Sequence, residues 1–380
     1  MATQTGTVLA SCKTGAEIAH QPDVWREVAA LVADRQADLD TFLAEALADP
    51  RSVVVLTGAG TSSFVGELVA HDIARRVGRT AMAVPTTDVV STPRSALPAD
   101  RPILLVSFAR SGDSPESVAA VAIADQVADQ VRHLVITCNA EGELARHCAG
   151  RSDALVLTLP AEANDEGFAM TSSFTGMALT TLIAFGTAPD VAAIAAAGEE
   201  ILETAEAAVA EIVALAPRRL VYLGSGSLAG IAHESALKCL ELTAGRIVGL
   251  ADTSMAFRHG PKSALDDSTV AVVYLSNDPY TRQYDLDIAR ELSASIGHER
   301  VVVVDGTGNA DVPGTVWTVP GVAGLPDAAW ALPAMLLAQT LALAASLDHG
   351  MTPDNPFPGG EVNRVVQGVV IHALDAATEH

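Results

Sequence analysis

Residues 51–76 read RSVVVLTGAGTSSFVGELVAHDIARR, and residues 218–241 read RRLVYLGSGSLAGIAHESALKCLE. In the first stretch Val53–Leu56 is a short β-branched run of the kind that forms a buried parallel strand. Gly58 and Gly60 supply a turn, and Thr61 to Arg76 continues as a helix. The second stretch repeats that order, with Gly224-Ser225-Gly226 answering Gly58-Ala59-Gly60 at an offset of 166. Ser276-Asn277-Asp278-Pro279 answers Ser107-Phe108-Ala109-Arg110 at 169, and Val303–Gly308 answers Ile136–Glu141 at 167. Apolar helices close both copies, at Thr171–Gly186 and Ala329–Leu347. Offsets that agree within three residues describe a duplicated unit.

Outward from the repeat, apolar runs at Ile103–Phe108, His133–Thr137 and Ala154–Leu159 alternate with helical stretches, the pattern of a parallel sheet covered on both faces. The expected fold is α/β: two tandem domains, each a flavodoxin-like parallel sheet between helices. The expected division is an N-terminal helical segment over 1–45, a first domain over 46–195, and a second with the C-terminal tail over 196–380. Pro22 near the first turn of a helix, followed by Val28, Leu31 and Val32 at helical spacing, marks the leading segment.

Composition agrees and excludes several classes. Of the 380 residues 49% are hydrophobic and 18% charged, which makes a core-forming chain rather than a disordered one. A net charge of −23 argues against nucleic acid and anionic membrane surfaces as partners, though not against a small anion held locally. Cys12, Cys138, Cys148 and Cys239 form no CxxC pair, and the N-terminus shows no basic-then-apolar leader, so a reduced, cytoplasmic protein is expected. Ala329–Leu347 has the apolarity of a membrane span, but Pro333, Gln339, Thr340 and its place in the repeat point to a buried helix.

Four motifs carry chemistry. In SFARSGDSPESVAAV a strand ends at Phe108, a Ser/Gly loop follows, and Ser114-Pro115 opens a helix. Ser111, Gly112 and Ser114 thus stand at a helix N-terminus beyond a strand's carboxyl end, where an anion is favoured; an ordinary capped helix has the same pattern. The second copy, SNDPYTRQ, lacks the serine pattern, so phosphate is expected in the first domain alone. In GAGTSSF and GSGSLAG the third glycine falls out of place for a dinucleotide loop. A close turn carrying Thr61 and Ser62 towards a ligand is the better reading, and no cofactor is expected. In HESALKCLELTAG, Glu234, Lys238 and Glu241 share one helical face, suited to proton transfer or equally to a surface ion-pair stripe. His259 precedes the Gly260-Pro261 turn and is a candidate acid/base group, or a structural histidine. No HExxH occurs and the histidines are scattered, so no metal is expected.

These residues resemble the sugar isomerase (SIS) family, in its double-domain members. ESALKCLE followed by RHGP resembles the isomerase half of glucosamine-6-phosphate synthase. The set GAGTSSF, SFARSGDSPESVAAV, AMTSSFT, MAFRHGPK and EVNRVVQG resembles AgaS-type proteins over about Ala16 to His372. The resemblance implies a phosphosugar isomerase-deaminase that converts an amino-sugar 6-phosphate, galactosamine 6-phosphate favoured, to tagatose 6-phosphate and ammonia. Simple tagatose-6-phosphate ketose/aldose isomerisation and a non-catalytic phosphosugar regulator are the alternatives. It implies Ser111 and Ser114 as phosphate ligands, Thr61 and Ser62 as sugar contacts, and Glu241 as the base. Lys238 and His259 would serve ring opening and proton shuttling, with Glu234 in support. It further implies a homodimer or higher oligomer with shared sites, the histidine coming from the other subunit. Two positions depart from the synthase pattern. Its first loop serine is Ala109 here, leaving Ser107 or Arg110 to compensate, and its C-terminal lysine aligns with Gln367.

Overall fold

Three helices lead the chain, α1 (Lys13–Ala19), α2 (Gln21–Asp34) and α3 (Gln36–Ala46). The first α/β unit runs β1 (Val53–Thr57), α4 (Thr61–Val77), β2 (Thr80–Ala83), α5 (Thr86–Ser91), α6 (Pro93–Ala96), β3 (Ile103–Ala109), α7 (Pro115–Val127), β4 (Val131–Thr137), α8 (Glu143–Cys148), β5 (Ala154–Thr158) and α9 (Ser172–Ala184). After α10 (Val191–Ala214) the second unit runs β6 (Arg219–Leu223), α11 (Leu228–Leu242), β7 (Val248–Asp252), β8 (Thr269–Leu275), α12 (Pro279–Ile296), β9 (Val301–Asp305), β10 (Thr315–Thr318) and α13 (Asp327–Asp348). This computed structural model describes residues 7–187, 189–366 and 368–374.

Both sheets are parallel, and both have the same connectivity. The first is ordered β2-β1-β3-β4-β5; the second, read from its other edge, is β7-β6-β8-β9-β10. This is the flavodoxin-like order, whose direction of winding reverses between the first and third strands of the unit and leaves a crevice at their carboxyl ends. The β-branched runs occupy the central strands, where every residue of β1, β3, β8 and β9 is buried, as two covered faces require. The edge strands β2 and β7 are half-exposed and carry TAMA and VGLAD, too short and too mixed to announce themselves as strands.

Alternate residues of each strand enter different cores. Val54, Leu56, Leu104 and Val106 join a central core that runs on through α9, α10, α11 and α13 to the inner face of the second sheet. Val53, Val55, Ile103 and Leu105 face the outer layer of α5 and α7. The apolar helix α13 is buried from Ala328 to Ser346, as expected for a core helix. Its polar groups are paired inside: Gln21 Nε2 donates to Gln339 Oε1 at 2.6 Å, and Thr340 Oγ1 to Leu336 O at 2.7 Å.

The helices α4 and α11 cross between the sheets. At the crossing a Cβ on Gly230 would stand 2.5 Å from Leu68 N, so only glycine admits this approach. The close approach sets the first turn of α4 against the last turns of α11.

Candidate active site

The crevice between β1 and β3 holds a cavity of about 210 Å³. Gly60, Thr61 and Ser62 line it from the β1–α4 turn, and Arg110, Ser111, Gly112 and Ser114 from the β3–α7 loop. Glu241 enters from α11, and Arg364 from the C-terminal tail.

The β3–α7 loop is held in place by its neighbours. Asn139 Nδ2 donates to Ser111 O at 2.9 Å, and Leu144 N to Gly112 O at 2.9 Å. Gly112 has φ +70°, a backbone conformation that favours glycine. Ser114 is the N-cap of α7, yet its hydroxyl makes no capping bond. Its side chain remains available to an anion in the cavity, beside the positive end of the helix, where Pro115 carries no N–H and Ser117 N donates to Ser114 O at 3.0 Å.

Behind Thr61 lies a sealed charge cluster. Lys238 is 0% exposed, and its ammonium donates to Glu241 Oε2 at 2.5 Å and to Thr61 Oγ1 at 3.0 Å, and forms an ion pair with Glu234 Oε1 at 3.3 Å. Two hydrogen bonds and a second carboxylate beside it fix it as a charge behind the cavity wall. Burial pushes the Glu234 carboxyl well above the usual range, reinforced by Glu241 and opposed by Lys238. Burial pushes Lys238 down, but the two carboxylates outweigh it and its net shift is upward. Glu241 is part-exposed and is the member of the cluster that faces the cavity. The stripe is therefore not a surface ion pair: Glu234 and Lys238 are buried, and it opens on the crevice through the Glu241 carboxylate.

Arg110 is buried, with Nη1 donating to Phe168 O at 3.2 Å and Nη2 to Arg364 O at 2.8 Å. Burial and the neighbouring Arg364 guanidinium both lower its pKa. Arg364 in turn donates to Asp165 O. The Asp165 carboxylate accepts from Thr171 N, Ser172 N and Ser173 N at 2.8–3.0 Å, which explains the AMTSSFT motif as a capped helix start beside the site.

Of the remaining candidates, Ser107 needs correction, His259 is placed away from the cavity of its own chain, and Gln367 falls elsewhere. Ser107 does not line the cavity: it shares the face of Ile103 and Leu105, so its side chain turns towards α5 and α7. It cannot replace the missing loop serine. His259 is exposed in the turn between two short 3₁₀ segments and does not line this cavity within its own chain. Gln367 lies outside the described residues. Arg364 is a site residue with no signature in the sequence, because nothing local marks a tail arginine as docking beside a loop some 250 residues earlier.

The duplicated position in the second unit has reversed charges. At an offset of 166, Asp72 stands for Lys238 and Arg75 for Glu241, again as an ion pair, at 2.6 Å. Ser227 Oγ donates to Asp72 Oδ2 at 3.4 Å where Thr61 meets Lys238. Arg75, Ser227 and Asp278 line a larger cavity of about 780 Å³ there. Asp278 caps α12, accepting from Tyr280 N and Thr281 N at 3.1 and 2.9 Å, so a carboxylate takes the place an anion would need. At the positions of Glu241 and of the serine loop this crevice carries Arg75 and the Asp278 cap instead. Arg75→Ala is expected to leave kcat and KM within about twofold of the parent, as steady-state kinetics would show.

Asp125, His133 and Asp153 have potential ligand atoms within 4.8 Å of one another, at the amino ends of the strands. Arg151 already pairs with both carboxylates, at 2.8 Å each.

The family model of the SIS domain matches residues 46–185. An AgaS protein of Streptomyces coelicolor is 53% identical over 365 residues, 94% of this chain and 95% of its own. A protein of Escherichia coli named D-galactosamine-6-phosphate deaminase AgaS is 44% identical over 372 residues, 96% of either chain. The crystal structure of tagatose-6-phosphate ketose/aldose isomerase from Escherichia coli matches with a TM-score of 0.89 at 39% identity, over 98% of this chain and 99% of that one.

Proposed function

The chain belongs to the SIS-domain family, in its AgaS branch of sugar-phosphate isomerases and deaminases, and from that premise we propose that it converts galactosamine 6-phosphate to tagatose 6-phosphate and ammonia. The observation that carries this is the pairing, in one small cavity, of unspent Ser111 and Ser114 donors with the Glu241 carboxylate.

The 6-phosphate sits on the Ser111–Ser114 loop at the N-terminus of α7, and the sugar runs past Thr61 and Ser62 towards Glu241. Glu241 takes the proton from C2 of the open-chain aldehyde, which the adjacent carbonyl acidifies. The enolamine that forms is protonated at C1, leaving an imine at C2. Water adds to the imine and ammonia leaves, giving the ketose. Lys238 is a positioning residue: it holds the Glu241 carboxylate and the Thr61 hydroxyl without meeting the sugar. Arg110 and Arg364 add positive charge where negative charge develops on the substrate oxygens. His259, exposed and off the cavity of its own chain, would assist ring opening from a second copy in a dimer, which the family resemblance supports. A hydroxyl at C2 in place of the amine would make the same proton transfer a plain aldose–ketose isomerisation.

The deciding experiment is an ammonia-release assay over galactosamine, glucosamine and other amino-sugar 6-phosphates, with the ketose product identified. Interconversion of galactose 6-phosphate and tagatose 6-phosphate, with no ammonia released from any of the amino sugars, would favour the isomerase instead. Ser111→Ala is expected to raise KM about 10- to 100-fold with kcat little changed, the loss of one hydrogen bond to a charged group. An unchanged KM would remove Ser111 from the phosphate site.

A further inference from the structure

Ser107, turned away from the cavity, has company. Its hydroxyl oxygen is buried and makes no hydrogen bond, and the same holds for Thr57 Oγ1, Thr86 Oγ1 and Glu116 Oε2. The four residues are 3%, 0%, 2% and 7% exposed. Thr57 and Ser107 are register partners on β1 and β3, both on the face covered by α5 and α7. Thr86 is the first residue of α5, tied to the same strand end by Thr86 N donating to Gly58 O at 2.8 Å. Glu116 stands in the first turn of α7. One buried carboxylate and three buried hydroxyls without hydrogen bonds thus belong to the carboxyl ends of β1 and β3 and to the first turns of the two helices, α5 and α7, that cover them.

We propose that this group of oxygens is a binding site for a monovalent cation of the size of potassium or ammonium. The donors are all hard oxygens with one negative charge among them, which suits a monovalent ion better than a divalent one. No ion pair among the described residues engages Glu116, and a desolvated, unpaired carboxylate is costly. A water molecule would satisfy the hydroxyls but not the charge. The need is sharper because Glu116 and the proposed phosphate share one helix N-terminus, whose dipole carries only about half a positive charge. A cation behind the loop balances both anions, so ion and sugar phosphate should strengthen each other's binding. The site itself stands on the four oxygens; its effect on substrate rests on the phosphate reading above.

The test compares potassium, ammonium, sodium and tetramethylammonium chlorides at constant ionic strength. Thermal unfolding without substrate should show saturable stabilisation by potassium or ammonium but not by tetramethylammonium. Glu116→Gln should abolish that difference and Ser107→Ala weaken it. Crystals soaked in thallium should show an anomalous peak between Glu116 and Ser107. KM for the sugar phosphate should rise about tenfold in tetramethylammonium. Identical unfolding in all four salts, an unaltered salt response in Glu116→Gln, or no thallium peak would overturn the site. A salt-dependent unfolding transition combined with an unchanged KM in Ser111→Ala would leave the ion site standing and remove the phosphate assignment.

Discussion

Glu241→Gln is expected to lower kcat by about 10²- to 10⁴-fold, the usual contribution of a positioned base, while leaving sugar-phosphate affinity near the parent value. Glutamine keeps the size and one oxygen of the carboxylate, so it can still accept from Lys238, which donates to Glu241 Oε2 at 2.5 Å in the parent. What it loses is the capacity to take a proton. Binding is expected to survive because the anion donors sit on a different element, the β3–α7 loop, which Asn139 and Leu144 hold independently of α11. Two measurements separate the roles: steady-state turnover, and exchange of the C2 hydrogen with deuterated solvent followed on bound substrate. Both should fail together in the variant while a titration with sugar phosphate still saturates. Turnover within tenfold of the parent would show that another group removes the proton.

The parts of this site that could be read from the chain are those whose geometry is local. Spacing of i, i+4 and i+7 places Glu234, Lys238 and Glu241 on one face whatever the rest of the fold does. The β1–turn–α4 pattern and its copy 166 residues on require the two strand–helix units, and hence the shared strand order. Ser107 was open to the same kind of reasoning. It shares strand parity with Ile103 and Leu105, and parity alone would have put it on the outer face. Other features depend on long-range docking. Nothing in Asn363-Arg364 or Phe168 signals that both come to rest at Arg110. Whether the Glu234–Glu241 stripe is solvated or sealed depends on Gly230 letting α4 lie against α11, a contact between units. The position of His259 relative to any cavity is a question of assembly, beyond the reach of one chain's periodicity.

Lys238→Met should destabilise the protein by about 3–5 kcal/mol, the cost of breaking a buried ion pair by removing one partner, read as a shift of the denaturant midpoint. Methionine fills nearly the same space, so little of the loss would come from a cavity. The cause is electrostatic. With the ammonium gone, Glu234, 0% exposed, keeps only the Thr61 hydroxyl at 3.3 Å, and its second oxygen has no partner among the described residues. A carboxylate so placed must either stay desolvated and unpaired or take up a proton. The double variant Glu234→Gln/Lys238→Met is therefore expected to recover much of the lost stability, because it removes the stranded charge as well. Activity should follow a different course. Neither variant restores the cation that fixes Glu241, so both should stay low in kcat even where the fold has recovered. A single variant as stable as the parent would mean that Glu234 is held neutral in the native protein, and that the Lys238–Glu241 contact alone organises the cluster. Recovery of both stability and turnover in the double variant would remove Lys238 from any positioning role.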